Sequence, residues 1–218
     1  EVYDPQTDGW QPLAKMSTRR SALGLAAIGG KIYAIGGSTV GNALGSVEAY
    51  DPQLGAWALV ASMSEERCNH VSVVIDGKIY TIGGIDPDRG DPTDAVEVYN
   101  PQADSWQRVA SMPEALYEHA AAVMGGKIYV TGGCNEGSPE NSVYVYDPQA
   151  DAWTQLASMS IARYRHACTA VGGKLYVFGG LGEGVRLSTA EVYDPASDNW
   201  AQGSSSTSSR SYPVAVAL

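Results

Sequence analysis

Positive charge is what this chain most lacks: 14 Lys and Arg stand against 24 Asp and Glu, giving a formal net charge of −10 and an isoelectric point near 4.6. Phosphate-backbone binding needs a basic stripe that would show in such a balance, so no nucleic acid is expected among the partners. Nowhere do about 18 apolar residues follow one another, the length a spanning helix requires, and the opening Glu-Val-Tyr-Asp-Pro is no signal peptide. No membrane association is expected. Cysteine is scarce, with Cys68, Cys134 and Cys168 an odd and scattered set, and no Asn-x-Ser/Thr glycan acceptor occurs. A reducing, cytoplasmic setting is the expectation. Helical periodicity is missing throughout, and Phe occurs once.

What is present is glycine (25), tyrosine (13) and tryptophan (5), an aromatic-rich, turn-rich profile that suits all-β architecture. The stretch Gly30-Lys31-Ile32-Tyr33-Ala34-Ile35-Gly36-Gly37 returns at Gly77–Gly84, Gly126–Gly133 and Gly173–Gly180. Each copy is a short β-branched and aromatic run closed by two glycines, a buried strand ending where the backbone must turn sharply. Gly36, Gly83, Gly132 and Gly179 are spaced by 47, 49 and 47 residues, and Trp10, Trp57, Trp106, Trp153 and Trp200 keep the same rhythm. Pro5, Pro52, Pro101, Pro148 and Pro195 follow it too. A period of this length predicts β-propeller blades.

One unit reads as four strands: Ala22–Ile28, Lys31–Ile35, Ser46–Tyr50 and Trp57–Val60, here called a, b, c and d. The recurring Trp is expected to fill the gap between neighbouring sheets, where burying about 150–250 Å² at about 25 cal/mol/Å² corresponds to roughly 4–6 kcal/mol gross per blade. The whole of 1–218 is then one domain, with a partial blade at 1–15, blades at about 16–62, 63–111, 112–158 and 159–205, and a closing strand at 206–218. The two extra residues of the 49-residue spacing fall in the b–c loop, 85–94, so length variation sits on one face.

These features together resemble the kelch repeat: the Gly pair after Lys-Ile-Tyr, the Val-Glu-x-Tyr-Asp-Pro strand end, the Trp six residues before a Met (Trp10/Met16, Trp57/Met63, Trp106/Met112, Trp153/Met159) and the Arg four after it. Segments such as Arg20-Ser21-Ala22-Leu23-Gly24 look most like the kelch-like (BTB-kelch) adaptors of cullin-based ubiquitin ligases. Leu116 departs from the pattern where the Arg should stand, and Ser206 where the Met should. The resemblance implies an all-β kelch propeller of four-stranded antiparallel blades, with four complete blades here and the chain expected to be a fragment of a six-bladed ring. It also implies a function: binding a short peptide of a partner protein on the loop face, as substrate receptor of a cullin-based ligase through domains absent here. An actin-binding or other structural role is the alternative, and a kelch-fold enzyme a further one.

By the same resemblance, peptide ligands touch the residues five and six after the Met and those just after the Gly pair. From the strand starts these are Ser21, Asn69, Tyr117, Glu118, Tyr164, Arg165, Ser211 and Tyr212; from the loops, Ser38, Asn42, Arg89, Glu136 and Arg186. Tyr and Arg are the types that make binding hot spots. Arg20, Arg67, Arg163 and Arg210 sit at a pattern position and read as structural supports, whereas Arg19, Arg165 and Arg186 are off-pattern and suit an acidic or polar peptide.

His70, His119 and His166 each lie seven after a Met, which admits a metal triad at the channel but fits a repeated packing position better. Glu48, Glu97 and Glu191 are likewise one repeated strand position. No isolated polar cluster breaks the repeat as an acid–base or nucleophilic site would. The expectation is therefore no enzyme, no cofactor and no metal. Cys68 and Cys134 fall near the loop face and are expected to be buried and inert.

Overall fold

The computed structural model describes residues 1–40, 42–86 and 90–215, and among them there is no helix. Four antiparallel sheets of four strands each account for most of the structure. Blade 1 is Gly24–Ile28, Lys31–Ile35, Val47–Asp51 and Ala56–Val60; blade 2 is Val71–Ile75, Lys78–Ile82, Val96–Asn100 and Ser105–Val109. Blade 3 is Ala120–Met124, Lys127–Asn135, Ser138–Asp147 and Ala152–Gln155, and blade 4 is Ala167–Val171, Lys174–Phe178, Ala190–Asp194 and Asn199–Gly203. Within each blade the strands lie side by side in chain order, and a two-stranded hairpin, Val2–Asp4 with Gly9–Gln11, precedes them.

The turns from a to b explain their own composition. Gly29-Gly30, Asp76-Gly77, Gly125-Gly126 and Gly172-Gly173 all have both φ angles between 50° and 75°, the mirror-image turn whose twist matches antiparallel strands and which side chains other than Asp or Asn resist. The a strands pack in succession, blade 1 on 2, 2 on 3 and 3 on 4, so the sheets are set radially as a propeller. Between blades 1 and 2, Tyr33, Ile35 and Val47 meet Met63, Ile79 and Tyr99; between blades 2 and 3, Tyr80, Ile82 and Val96 meet Met112, Ile128 and Tyr146.

The Gly pair is required by the neighbouring blade as well as by its φ. A Cβ on Gly36 would lie 2.8 Å from Met63 Cε and 2.9 Å from His70 Cε1; on Gly83 it would lie 2.9 Å from Met112 Cε and 2.8 Å from His119 Cε1. Gly132 stands in the same relation to Met159 and His166. The Met and the His of one repeat therefore plug the hollow left by the glycine of the repeat before, and this is why the three marks travel together.

Tryptophan does less filling and more stitching than expected. Trp57, Trp106, Trp153 and Trp200 are half-buried, each against the Tyr of its own c strand at 5.0–5.3 Å between ring centroids. Each indole N–H donates to a carbonyl of the linker before the blade: Ala14, Ala61, Ala110 and Ala157, at 2.8–3.0 Å. Asp104 Oδ1 at the c–d turn accepts from the Ala61 N–H at 2.9 Å and from the Tyr99 hydroxyl at 2.7 Å, and Asp151 and Asp198 repeat this.

Three of the four pattern arginines are supports; the fourth, Arg210, is exposed and bonds Ser208 Oγ at 3.1 Å instead of an interior carboxylate, which corrects that expectation. Arg67, fully buried, reaches the carbonyls of Gly83 (3.1 Å) and Ala95 (2.8 Å) and pairs with Glu97 at 2.9 Å. Glu97 in turn accepts the Ser64 N–H at 2.8 Å. Arg20 with Glu48 and Arg163 with Glu191 repeat the arrangement, with Ser17 and Ser160 as the backbone donors. In blade 3 Leu116 is fully buried in place of the Arg.

Candidate functional site

The residues five after each Met and those following each Gly pair are brought together in every blade. Ser21 pairs with Ser38, Cys68 with Ile85, Tyr117 with Cys134 and Tyr164 with Leu181, each by two backbone hydrogen bonds of 2.8–3.1 Å. The strand starts and the b–c loops thus share one rim. Cys134 is buried there and burial pushes its thiol up to about 11, while the half-buried Cys168 of blade 4 is pushed to about 12. Neither supplies a thiolate at neutral pH.

The residues six after the Met do something the sequence does not announce. Ala22, Asn69, Glu118, Arg165 and Tyr212 all take left-handed backbone, φ 51–55°, which is why strand a begins at Gly24 and not at Ala22. The cause is a ladder that runs from blade to blade. Asn69 N–H donates to Ala22 C=O, Glu118 to Asn69, Arg165 to Glu118 and Tyr212 to Arg165, at 2.8–2.9 Å. The bonds offset strain on the order of 1 kcal/mol per residue for non-glycine left-handed backbone. All five residues line a single cavity of about 290 Å³ together with Leu23, His70, His119, His166, Pro213 and Val214.

Inside the cavity, charge is paired. Arg165 donates from Nε and Nη2 to the two oxygens of Glu118, both at 2.8 Å, and the Tyr212 hydroxyl donates to Glu118 Oε1 at 3.1 Å. The Arg165 guanidinium lies against the rings of Tyr164 and Tyr212, 5.3 and 4.9 Å from their centroids. Burial, then the Glu118 charge, pushes Tyr212 up to about 12, so its hydroxyl remains a donor. Beneath, burial holds His70 and His166 down to about 3 and His119 to about 4, so all three rings are neutral. His70 Nε2 accepts from Gly24 N–H at 3.1 Å and His166 Nε2 bonds Thr131 Oγ1 at 2.8 Å, whereas neither His119 nitrogen is hydrogen-bonded. Among the described residues no group of three His, Cys, Asp or Glu is placed to hold a metal ion.

Of the residues singled out from the sequence, Asn69, Glu118, Arg165 and Tyr212 converge on the cavity, with Tyr164 stacked on Arg165 at its edge. Tyr117 and Ser211 are half-buried on the rim. Ser21 and Ser38 line a separate hollow with Arg19 and Val40. Asn42, Glu136 and Arg186 are exposed on outer loops, Glu136 at the tip of the long hairpin of blade 3 and Arg186 in the short hairpin of blade 4. Arg89 lies outside the described residues. Sequence reasoning missed Ala22, whose identity carries no sign of its backbone, and it missed the ladder.

Comparison with known proteins agrees with the repeat. The KLHDC2/KLHL20/DRC7 Kelch-repeats domain model matches residues 69–216, and the Kelch motif model matches residues 19–64. Human Kelch-like protein 5 is 51% identical over 37 residues, 17% of this chain, and the matched part spans 5% of that protein. Among solved structures, one titled "Structure of YjhT" superposes with a TM-score of 0.85 at 17% identity, covering 94% of this chain and 77% of that one, a likeness of fold. It corrects one expectation. The exclusion of enzyme activity rested on no isolated polar cluster breaking the repeat, and with the fold shared this closely with YjhT that exclusion is withdrawn.

Proposed function

Because the chain belongs to the KLHDC2/KLHL20/DRC7 kelch-repeat family, whose model spans residues 69–216, we propose that it is one interaction domain holding a short, extended peptide segment of a partner over the channel mouth. Kelch domains mediate protein–protein interaction, and the observation that carries the reading to this face is the ladder. Five successive repeats hold one backbone geometry around one cavity while presenting Ala22, Asn69, Glu118, Arg165 and Tyr212, five different chemistries on one rigid frame. Constant backbone with varied side chains is how a scaffold separates stability from recognition. The finer role we propose is that of substrate receptor for a cullin-based ubiquitin ligase, acting in the cytoplasm; its support is the resemblance to kelch-like adaptors, including the segment shared with Kelch-like protein 5.

The test is selection from a displayed library of random peptides, followed by affinity measurement on the enriched sequences. Tyr164→Ala and Asn69→Gly, the latter chosen to keep the left-handed backbone, should each weaken binding by more than about 1 kcal/mol. Lys78→Ala and Lys127→Ala, beside the a–b turns at the other end, should leave it unchanged. Binding lost with the lysines and kept with the rim variants would assign the site to the opposite end.

A further inference from the structure

Arg165 is the only cation among the described residues lining the mouth cavity, and its charge is already matched. Glu118 takes two of its nitrogens at 2.8 Å with a side chain 5% exposed, and the Tyr212 hydroxyl adds a third hydrogen bond to that carboxylate. The three histidines below are neutral and add nothing positive. A separate groove is lined by Glu66, Asp91 and Glu65, the last paired with Arg67 and Arg108, and the chain as a whole carries −10. The exposed Arg19 and Arg186 do not line the cavity.

We propose that Glu118 determines specificity at the mouth: by neutralising Arg165 it makes the cavity select peptide segments that are uncharged where they cross it and reject segments placing Asp or Glu there. This rests on the peptide-binding reading above. An incoming carboxylate would be desolvated against a pair whose net charge is close to zero, and would face Glu118 as well as Arg165, so repulsion cancels the attraction that would repay its lost water. A neutral segment meets the rings of Tyr164 and Tyr212 and the half-buried amide of Asn69, which offer contact area and hydrogen bonds without a charge requirement. Arg165 acts as a planar platform held by Glu118, and as a reader of polar rather than acidic groups.

The experiment pans the same random-peptide library against the wild-type chain and against Glu118→Gln, a near-isosteric change that keeps an acceptor for Arg165 and removes the negative charge. Peptides enriched by the wild type should be poor in Asp and Glu, and their affinity should change by less than about twofold between roughly 50 and 500 mM salt. Glu118→Gln should enrich Asp- or Glu-containing peptides that bind it on the order of tenfold more tightly than they bind the wild type. A wild-type pool rich in acidic residues with steep salt dependence would overturn the inference while leaving peptide binding intact, and so would a Glu118→Gln pool no more acidic than the wild-type pool. Enrichment of no sequence by either protein would remove the peptide-binding reading itself, and this inference with it. Should Glu118→Gln fail to fold, the composition and salt dependence of the wild-type pool decide the matter alone.

Discussion

Blade 2 and blade 3 solve one problem with opposite chemistry. In blade 2 the lead into strand a is held by a buried ion pair, Arg67 with Glu97, and Glu97 also receives the Ser64 N–H. In blade 3 all three partners change: Pro113 has no N–H to give, Leu116 replaces the cation and Tyr144 the carboxylate. The Tyr144 hydroxyl instead donates to Glu114 at 3.0 Å, joined by the Ser142 hydroxyl at 2.8 Å. Burial and the bond to Glu114 push Tyr144 up to about 12, so it remains a donor. Apart from Arg67 Nε, which is buried without a partner, each set finds hydrogen bonds for its polar groups, so the lesson concerns paired partners and not charge: a buried ion pair can be exchanged for apolar packing when both partners go, and is costly only when broken.

The comparison breaks most sharply at Arg67. Arg67→Leu alone strands Glu97 in the interior and should cost about 3–5 kcal/mol in chemical denaturation, although Leu is what blade 3 carries at the equivalent position. Next is the tryptophan that every blade shares. Trp106→Ala should cost about 3 kcal/mol, whereas Trp10→Ala, at a ring 68% exposed, should cost less than about 1 kcal/mol; equal costs would mean that packing between blades is not what Trp106 contributes.

Acid should act on the histidines before it acts on either kind of support. Burial places their folded pKa values at about 3 to 4, below the ordinary 6.5, so their contribution is complete above about pH 6.5 and declines as pH falls toward the folded values. By pH 5 the loss should be about 2 kcal/mol per histidine. His119→Leu, at the ring with no bonded nitrogen, should flatten the pH dependence of stability with little cost at pH 7.

The sharpest positive test is a transplant. Ser64→Pro, Arg67→Leu, Ala95→Ser and Glu97→Tyr together rebuild the blade 3 arrangement in blade 2, where Glu65 already stands at the position of Glu114. The quadruple variant should lie within about 1 kcal/mol of wild type, despite the loss from Arg67→Leu alone, a non-additivity expected of residues in one network. Tyr144→Phe, which only leaves Glu114 one donor short, should cost about 0.5–1.5 kcal/mol.

Much of the fold was legible because its signals are local. The a–b turns, the alternation of strands and the Gly pairs each follow from what a residue and its near neighbours can adopt, and repetition at a fixed spacing adds them up. Leu116 was visible as a departure from the pattern, but Pro113 and Tyr144 gain meaning only once the fold sets them beside it. The candidate site was legible in part: the rim positions were found, whereas Arg165 reads from sequence as a free cation and is in fact bound to Glu118, 47 residues away.

The sequence by itself determined the repeat, the four-stranded unit, the propeller and the rim on which variable residues gather, since propensity, turn geometry and burial period act over a few residues. Only the tertiary structure decided the left-handed ladder, the plugging of each glycine by the next blade's Met and His, and the neutral pairing at the mouth. Those depend on blade-to-blade distances, which no local rule contains, and a backbone conformation shared by Ala22, Glu118, Arg165 and Tyr212 is set by the hydrogen bond each makes to its neighbour rather than by anything in the side chain.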